Sequence, residues 1–462
     1  MRRYYRIVKA MVAGGVLVYQ AQVTAAEPLD SIDGRCSAEE TIIDSGNFSI
    51  EETTDDVNFP IGMHYRKDNT MGLTFYAGPT RQMAVDDYER KWLHGKKGII
   101  IGTEFNMADF SNDGFSCDYN HPTLSIGAKL SLNHGTTLRR TEDPAWGLAE
   151  MADYDSRLGN FLTLYGAFDR PLLRHKRWQI SYTLRTGIAF GNHLYDKETN
   201  VDNELIGSHI NIYVGLGLLA AYRVTDEWSV VGGVLYGHHS NGALARPNKG
   251  ENHIAPVVGL QHSLEFHRWD EGNKQASDVS GQPVDPKETF RPYWVSHLRI
   301  GVGGKTLLEE WQQTQFHTPP GEENYRTEHF HFYTAYSFSA DIMRRYARRW
   351  ASGIGADLFY GSYYNHIPMN TSTTSPWSVG IAARHEAYYH QLSVDMSIGA
   401  YLFRRMGEQA KAVEKPYYER IGLSYTLPKW GGLRLGFSVK AHSTKADLTE
   451  LVVAYPIVCL KP

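Results

Sequence analysis

Apolar and polar residues alternate with a period of two in several long runs of this chain, and this alternation is what most constrains its fold. Side chains on a β-strand point alternately to opposite faces, so each run predicts a strand with one apolar and one polar face. The run RWQISYTLRTGIAFG (177–191) carries its apolar side chains on one parity, at Trp178, Ile180, Tyr182, Leu184, Ile188 and Phe190. The runs QLSVDMSIGAYL (391–402) and LRLGFSVKAH (433–442) follow the same rule. An all-β fold is therefore predicted.

Composition favours strands and excludes two other classes of protein. Of the 462 residues, 42% are hydrophobic and 21% are charged, with a formal net charge of -4. That balance excludes a strongly basic nucleic-acid binder and a disordered acidic chain, so no nucleic-acid partner is expected. No apolar run reaches roughly 18 residues, the length of a membrane helix. A membrane barrel needs no such run, because only alternate strand residues meet lipid.

A soluble β-sandwich shows the same alternation, but three features favour a transmembrane barrel. Residues 1–26 have the layout of a secretory signal peptide, with a basic start, a short apolar stretch, and small residues at Ala25 and Ala26. The alternating runs have about the length needed to cross a bilayer. Aromatic residues cluster at the strand ends, as in the girdles of membrane barrels. We therefore predict an integral protein of the Gram-negative outer membrane.

Loop lengths agree with an antiparallel transmembrane β-barrel of about 14 strands, within a range of about 12–16. Tight connections such as RVTDE (223–227) alternate with long ones such as 133–156. Outer-membrane barrels have short periplasmic turns and long outer loops, which this pattern matches. The exception is the long segment 268–292, which falls on the periplasmic side. We assign the barrel to residues 121–462 and leave the less periodic 27–120 without a predicted structure.

One strand of this scheme ends in polar residues that its apolar face does not explain. In VLYGHHSNGALARPNKGENHIAPVVGL (234–260), His238 and Ser240 share the parity of the apolar residues before them. The strand runs outward, so the pair is expected at the level of the outer leaflet. A polar pair that faces lipid is costly unless it is used or paired. On the next strand Asn252 has the outward parity, whereas Glu251 is expected to point into the lumen.

A serine beside a histidine, with a third polar group to orient the ring, is the arrangement of an activated acyl-transfer nucleophile. His238 would take the proton of the Ser240 hydroxyl, and Asn252 would hold the imidazole in the required tautomer. Asn248, with a backbone N–H near Gly242, would stabilise the oxyanion.

The loop between the two strands carries further candidates. The backbone N–H of Ala243 is an alternative to that of Gly242 as an oxyanion donor. Arg246 and Lys249 would suit lipid phosphates, because the arginine fork matches phosphate geometry. Ordinary solvated loop charge explains the two basic residues equally well. His239 has the other parity and is expected at the lumen or the rim.

The segment HHSNGALARPNKGEN (238–252) resembles the signature of the lipid A 3-O-deacylase (PagL-type) family of outer-membrane β-barrel hydrolases. That signature is a His-x-Ser-Asn, a Pro-Asn-x-Gly loop, and an acidic or amide residue shortly after. The upstream NELIGSHINIYVGLGLLAAYRVTDEWSVVGG (203–233) is similar to the longer acyloxyacyl hydrolase relatives. The resemblance covers about residues 155–265.

The resemblance implies a cofactor-independent esterase that removes an ester-linked acyl chain from the lipid A part of lipopolysaccharide. It implies that His238 is the base, Ser240 the nucleophile, and Asn241 and Asn248 site-shaping residues. The chain departs from the family at the third position, where the founding type has Glu and this sequence has Asn252. An amide orients a histidine but stabilises an imidazolium less than a carboxylate does. The resemblance implies an active enzyme, and the sequence leaves open whether Asn252 or Glu251 completes the triad and whether this change reduces or abolishes activity.

Two other functions fit the same residues. A barrel phospholipase with a Ser-His-Asn site would deacylate phospholipids, a class that usually needs calcium. A non-catalytic porin-like or structural barrel would use its polar lumen, and the HHS sequence would then be incidental.

Three cysteines allow one disulfide in an oxidising compartment, and Cys36–Cys117 is the pairing we expect, although spacing leaves it open. The cysteine separations fit no zinc pattern, and no metal or cofactor is expected. The sequence leaves open whether the protein is a monomer or a homodimer.

Overall fold

The computed structural model describes residues 69–110, 113–139, 156–264, 290–366, 375–406, 415–443 and 445–460. The predicted signal peptide (1–26) and Cys36 lie outside these residues, whereas Cys117 is disulfide-bonded. The described chain is built mainly from antiparallel strands that form two closed rings. The predicted antiparallel β-barrel class is confirmed.

The first barrel is a ring of eight long strands. The strands of this part of the chain are β1 Asn69–Gln82, β2 Leu93–Asp109, β3 Thr123–Leu138, β4 Ser156–Arg157, β5 Phe161–His175, β6 Trp178–Gly191, β7 Ile210–Arg223, β8 Trp228–Ser240 and β9 Glu251–Ser263. The ring runs β1-β2-β3-β5-β6-β7-β8-β9, and β9 pairs with β1 to close it. The two-residue β4 pairs with the end of β3.

The second barrel is also a ring of eight antiparallel strands. They are β10 Tyr293–Lys305, β11 Tyr333–Ala347, β12 Trp350–Gly361, β13 Trp377–Tyr389, β14 Leu392–Arg404, β15 Tyr417–Leu427, β16 Leu433–His442 and β17 Lys445–Leu460. Each strand pairs with the next, and β10 pairs with β17 to close the ring.

The number of rings is where the structure differs from the expected single barrel. Among the described residues, sixteen long strands agree with the upper end of the predicted range, but they form two rings of eight. Alternation indicates which face of a strand a residue occupies and not which strand closes a ring. It therefore does not distinguish one large barrel from two smaller ones. The long segment 268–292 lies between β9 and β10, where the chain passes from the first barrel to the second.

β1 and β2 belong to the segment 27–120, for which the sequence predicted no structure. Glycine and proline interrupt the alternation of β1, at Gly72, Gly78 and Pro79. Gly78 has no room for a side chain, because an added Cβ would lie 1.9 Å from the carbonyl oxygen of Pro256 on β9. The residues that hide this strand from a pattern search therefore allow its close pairing with β9.

Short helical segments occupy several connections. They are α1 Asp87–Trp92, α2 Gly114–Asp118, α3 Leu308–Gln312 with the π-helical turn Gln313–His317, and the 3-10 turns Ser362–Asn365 and Pro428–Trp430. In the part of the chain that the structure describes, none of the helices is both long and apolar enough to span a bilayer.

Both barrels have an apolar outer face and a polar inner face. On β11, exposed side chains alternate with buried ones, with Phe338 and Ile342 outside and Ser339 and Asp341 inside. On β17, Leu451 is 72% exposed. Moving one large apolar side chain out of water gains about 1.5–3 kcal/mol. A belt of such side chains is therefore stable against lipid, as in a transmembrane barrel.

Charged networks fill the lumen of the second barrel. The guanidinium of Arg299 contacts three buried or nearly buried carboxylates at 2.9, 2.7 and 2.7 Å, those of Asp341, Glu386 and Asp395. An eight-stranded ring encloses a space about wide enough for side chains alone. The lumen is therefore a polar core.

The lumen of the first barrel is packed in the same way. Arg185 lies 2.8 Å from Glu104, and both side chains are buried. The hydroxyls of Tyr76 and Tyr165 lie 2.7 Å apart beside this pair. Polar side chains thus fill the space that a wider barrel would leave to water.

We expect the purified protein to produce no stepwise ionic current in a planar lipid bilayer. Within the described residues, hydrogen-bonded side chains occupy most of both lumens, so we expect no continuous aqueous path for ions. The measurement is single-channel recording at several voltages, with a trimeric porin inserted into the same membrane as the positive control. Discrete conductance steps from the pure protein would contradict the filled-lumen structure.

The two barrels contact each other at both ends. At the short-turn end, the Tyr119 hydroxyl donates to the Tyr388 carbonyl at 2.9 Å. At the long-loop end, the rings of Tyr195 and Trp311 pack edge to face at 4.8 Å, and Gln315 donates to the Tyr195 hydroxyl at 2.7 Å. The barrels therefore lie side by side, with their long loops at the same end.

Candidate active site

The polar cluster lies at the long-loop end of the β8–β9 hairpin. Register pairs His238 with Asn252 and His239 with Glu251. His238 and Ser240 share the parity of the exposed Val234 on β8. Asn252 shares the parity of residues that face outward on β9. By strand parity His238, Ser240 and Asn252 therefore lie on the outward side of the first barrel wall, where Asn252 is buried and His238 and Ser240 are partly buried.

The side chain of Asn252 orients the imidazole of His238. The Asn252 Oδ1 accepts from the His238 Nδ1–H at 2.8 Å and from the Tyr236 hydroxyl at 2.6 Å. The Asn252 Nδ2 donates to the Gly250 carbonyl at 3.3 Å, so the amide is held at both ends. A proton on Nδ1 leaves the His238 Nε2 as an unprotonated base.

The hydroxyl of Ser240 faces the turn that follows β8. Its Oγ accepts the backbone N–H of Gly242 at 3.2 Å. Among the described residues, no hydrogen bond joins Ser240 Oγ to the His238 ring. Catalytic hydrogen bonds are often long without substrate and tighten in the complex. The lack of a hydrogen bond between Ser240 and His238 is therefore compatible with a nucleophile and its base.

Asn241 and Asn248 shape the turn beside Ser240. The Asn248 Oδ1 accepts the Asn241 N–H at 3.0 Å, and the Asn241 Oδ1 accepts the Ala245 N–H at 3.3 Å. Asn241 is buried, and within the described chain its Nδ2 has no hydrogen-bond partner. A buried donor without a partner is uncommon in native proteins and is typical of functional sites.

Gly250 closes the cluster from the side of the loop. Its φ is +79°, a left-handed value that favours glycine. An added Cβ would lie 2.6 Å from His238 Cε1 and 3.3 Å from Ser240 Cβ. Any side chain at this position would therefore displace the imidazole or the serine.

We expect Gly250→Ala to lower the rate of the ester hydrolysis that the sequence resemblance implies about 10²-fold, because a displacement of about 1 Å at reacting groups costs that much. The measurement is kcat of the purified variant in detergent micelles. Gly321→Ala is the matched control, since Gly321 has φ +91° and an added Cβ there meets nothing within 4 Å. Equal rates for the two variants would show that Gly250 does not hold the site.

The two basic residues of the loop are engaged with the protein itself. Arg246 is buried and its Nε donates to the Thr306 carbonyl at 3.1 Å. Burial lowers the pKa of Arg246 to about 10, which leaves it charged at neutral pH. Lys249 Nζ lies 3.0 Å from Asp86 Oδ2. Burial opposes ionisation of Asp86, but the Glu89 N–H and the Lys249 ammonium hold its pKa below the usual value. These contacts do not favour phosphate binding by Arg246 or Lys249.

A second polar cluster lies behind the first, on the lumen side of the same hairpin. Glu251 is buried and accepts from His239 Nδ1 at 2.6 Å and from His253 Nδ1 at 2.7 Å. The ring of His239 also stacks on Phe161 at 4.6 Å. This is the group of described residues that could hold a metal ion. Its hydrogen bonds already employ both Nδ1 atoms and both carboxylate oxygens.

Sequence reasoning missed three contributors to the site. Tyr236 has the parity of His238, which was a visible signal, but the pattern does not show that its hydroxyl reaches Asn252. Gly250 was part of the loop signature without a role of its own. Contacts from the second barrel were invisible, because they join residues far apart in the chain.

Closed rings of antiparallel strands with apolar outer faces and filled polar lumens define an integral outer-membrane β-barrel protein. The family model described as lipid A 3-O-deacylase (PagL) matches residues 122–261. The family model described as acyloxyacyl hydrolase, C-terminal domain, matches residues 293–458. The two matches together span well over half of the chain, which belongs to the PagL lipid A 3-O-deacylase and acyloxyacyl hydrolase family. The first match ends within the first barrel, and the second falls within the second barrel.

Alignments with solved structures cover most of this chain, at low TM-scores. OccK8 (OprE) of Pseudomonas aeruginosa is 10% identical with a TM-score of 0.21, and the match covers 85% of this chain and 99% of that one. A BenF-like porin from Pseudomonas fluorescens Pf-5 is 11% identical with a TM-score of 0.20, covering 86% and 99%. The Pseudomonas putida toluene transporter TodX is 10% identical with a TM-score of 0.17, covering 85% and 90%. No curated protein matches the sequence.

Proposed function

We propose that this chain is an outer-membrane serine esterase that removes an ester-linked acyl chain, at the 3-O position, from lipid A. The observation that carries the proposal is the hydrogen-bonded His238–Asn252 pair beside Ser240, on the outward parity of the β8–β9 hairpin at its long-loop end. Lipid A forms the outer leaflet, and the long loops of outer-membrane barrels lie on the outer side, so we expect its ester bonds near the depth of this cluster. Family membership supports the same substrate class.

In the first half of the reaction, Ser240 Oγ attacks the ester carbonyl carbon and His238 Nε2 takes the hydroxyl proton. The charge on the former carbonyl oxygen is stabilised by the Gly242 N–H and the side-chain amide of Asn248. The bond between the acyl carbon and the sugar oxygen then breaks. His238 returns its proton to the leaving sugar hydroxyl, and the acyl chain stays on Ser240.

In the second half, water hydrolyses the acyl-enzyme. His238 takes a proton from the water, whose oxygen attacks the acyl carbon. Collapse of this intermediate breaks the bond to Ser240, and the proton returns to the serine oxygen. The products are a free fatty acid and a lipid A with one acyl chain fewer. The reaction as written uses only water and the lipid.

We expect Asn252→Leu to lower kcat between about 10²- and 10⁴-fold, because the imidazole loses the acceptor that fixes its tautomer. Asn252→Asp is expected to raise kcat about 10-fold, since a carboxylate keeps both accepted hydrogen bonds and stabilises the imidazolium. The check is kcat of both variants against wild type in micelles. An unchanged rate in Asn252→Leu would remove Asn252 from the mechanism.

The deciding experiment is mass spectrometry of lipid A and of phospholipids from cells that express wild type or Ser240→Ala. Loss of one hydroxyacyl chain from lipid A with wild type alone, unaffected by a chelator, is the expected result. Lysophospholipid that forms only with calcium would identify a phospholipase instead. Identical spectra for both proteins would identify a non-catalytic barrel.

A further inference from the structure

The turn that follows Ser240 is attached to the second barrel. Gly242 and Ala243 both have left-handed φ angles, +65° and +74°, and Ala243 is fully buried. The Gly242 carbonyl accepts the hydroxyl of Thr449 at 2.7 Å. The Ala243 carbonyl accepts the N–H and the hydroxyl of Thr306 at 2.9 and 3.1 Å. A left-handed alanine persists only where its surroundings hold it.

The two threonines lie on a part of the second barrel that is held by strand pairing and by buried ion pairs. Thr306 directly follows β10 and Thr449 lies on β17, and these two strands pair to close the ring. Beneath them, Lys305 is ion-paired with Asp447, which also lies 2.7 Å from Lys440. These three charged side chains are buried. The positions of the two threonines are therefore fixed by the packing of the second barrel.

The hydrogen bond from Thr449 determines where a neighbouring N–H points. In a planar trans peptide the C=O and the N–H point in opposite directions. Because the Gly242 carbonyl points at Thr449, the Ala243 N–H points away from the second barrel. Within the described residues this N–H has no hydrogen-bond partner. The preceding N–H, that of Gly242, lies 3.2 Å from Ser240 Oγ.

We propose that the second barrel positions the oxyanion-binding turn of the first, with Thr449 aiming the Ala243 N–H and Thr306 holding the carbonyl that follows. The inference rests on the proposed function in taking Ser240 as the nucleophile. Neither threonine contacts the reacting atoms, so both are positioning residues. The active site is thus shared between two barrels, although its nucleophile and base come from one.

The test uses the full chain in micelles and a long-chain alkyl fluorophosphonate, a probe that does not depend on lipid A as substrate. Ser240 Oγ forms the bond to phosphorus, the bond to fluorine breaks, fluoride leaves, and His238 takes the hydroxyl proton. The measurement is the second-order rate of mass increase of the intact protein, with Ser240 identified as the labelled site. We expect labelling of Thr449→Val to be about 30-fold slower than that of wild type.

Three further variants make the outcome specific. Thr449→Ser restores the hydroxyl and is expected to label at close to the wild-type rate. Thr306→Val, which keeps the backbone bond, is expected to slow labelling less than Thr449→Val. Thr334→Val is the matched control, an exposed threonine at the same end of the second barrel, and should match wild type. Heat-modifiable electrophoretic mobility identifies folded protein in each case.

The outcomes separate this inference from the proposed function. Equal labelling of wild type and Thr449→Val, with both folded, would overturn the positioning role. On esters in the same micelles, the role predicts a lower kcat at unchanged KM for Thr449→Val. Labelling of wild type without hydrolysis of lipid A would contradict the proposal that lipid A is the substrate. The positioning role of Thr449 would be unaffected by that outcome. Absence of labelling at Ser240 in wild type would overturn both.

Discussion

Replacing Ser240 or His238 by alanine is expected to lower the rate of ester hydrolysis at least about 10³-fold. Without Ser240 no acyl-enzyme forms, and without His238 the hydroxyl keeps its proton. Because the two residues act as a unit, the double variant should be no slower than either single one. The measurement is kcat/KM of the purified full chain in micelles, with a soluble acyl ester and with lipid A.

Two residues on the same hairpin serve as matched controls for this result. Ser229→Ala removes a serine from the opposite end of β8, and His262→Ala removes a histidine near the end of β9. Both variants should retain wild-type activity. If Ser240→Ala hydrolysed either substrate at the wild-type rate, the pair on the outer surface would be a structural feature and the esterase proposal would fail.

Arg299→Met is expected to lower the free energy of unfolding by about 3–5 kcal/mol, the usual consequence of removing one partner from a buried ion cluster. Arg299 is in contact with three carboxylates of the second barrel, so its loss removes the cation that bridges all three, although Glu386 keeps Arg434 at 2.8 Å. The measurement is urea unfolding in micelles, followed by tryptophan fluorescence and by heat-modifiable mobility.

Arg344→Met is the control for the loss of a positive charge. Arg344 is exposed on β11 and packs over the Trp294 ring at 5.5 Å, so its replacement should cost less than about 1 kcal/mol. Similar stabilities of the Arg299 and Arg344 variants would mean that the central arginine does not hold the lumen of the second barrel together.

The class of the fold was predictable because alternation is local. A run such as 177–191 shows which of its faces is apolar from its own residues alone. Short turns between runs indicate antiparallel neighbours. Ring closure depends on pairs such as β1 with β9, whose partners Phe75 and Leu260 are far apart in sequence. No local pattern encodes that pairing, so the division into two barrels was not predictable from alternation.

The expected positions of the three central site residues agree with the geometry, whereas their catalytic roles remain proposals. Parity decided between Asn252 and Glu251, because neighbouring strand residues face opposite sides, and the structure pairs Asn252 with His238. The supports from Thr306 and Thr449 lie 63 and 207 residues from their partners and act through backbone carbonyls. Neither carries a signal that a single sequence reveals.

The attachment of Gly242 to β17 has a consequence for biogenesis. β17 pairs with β16 on one side and with β10 on the other, so both of its pairings are present only when the second ring is closed. On the proposed assignment of Ser240 as the nucleophile, the turn beside it is therefore fully held only when the second ring is closed. We expect a chain whose second ring is not closed to hydrolyse esters more slowly than the complete chain.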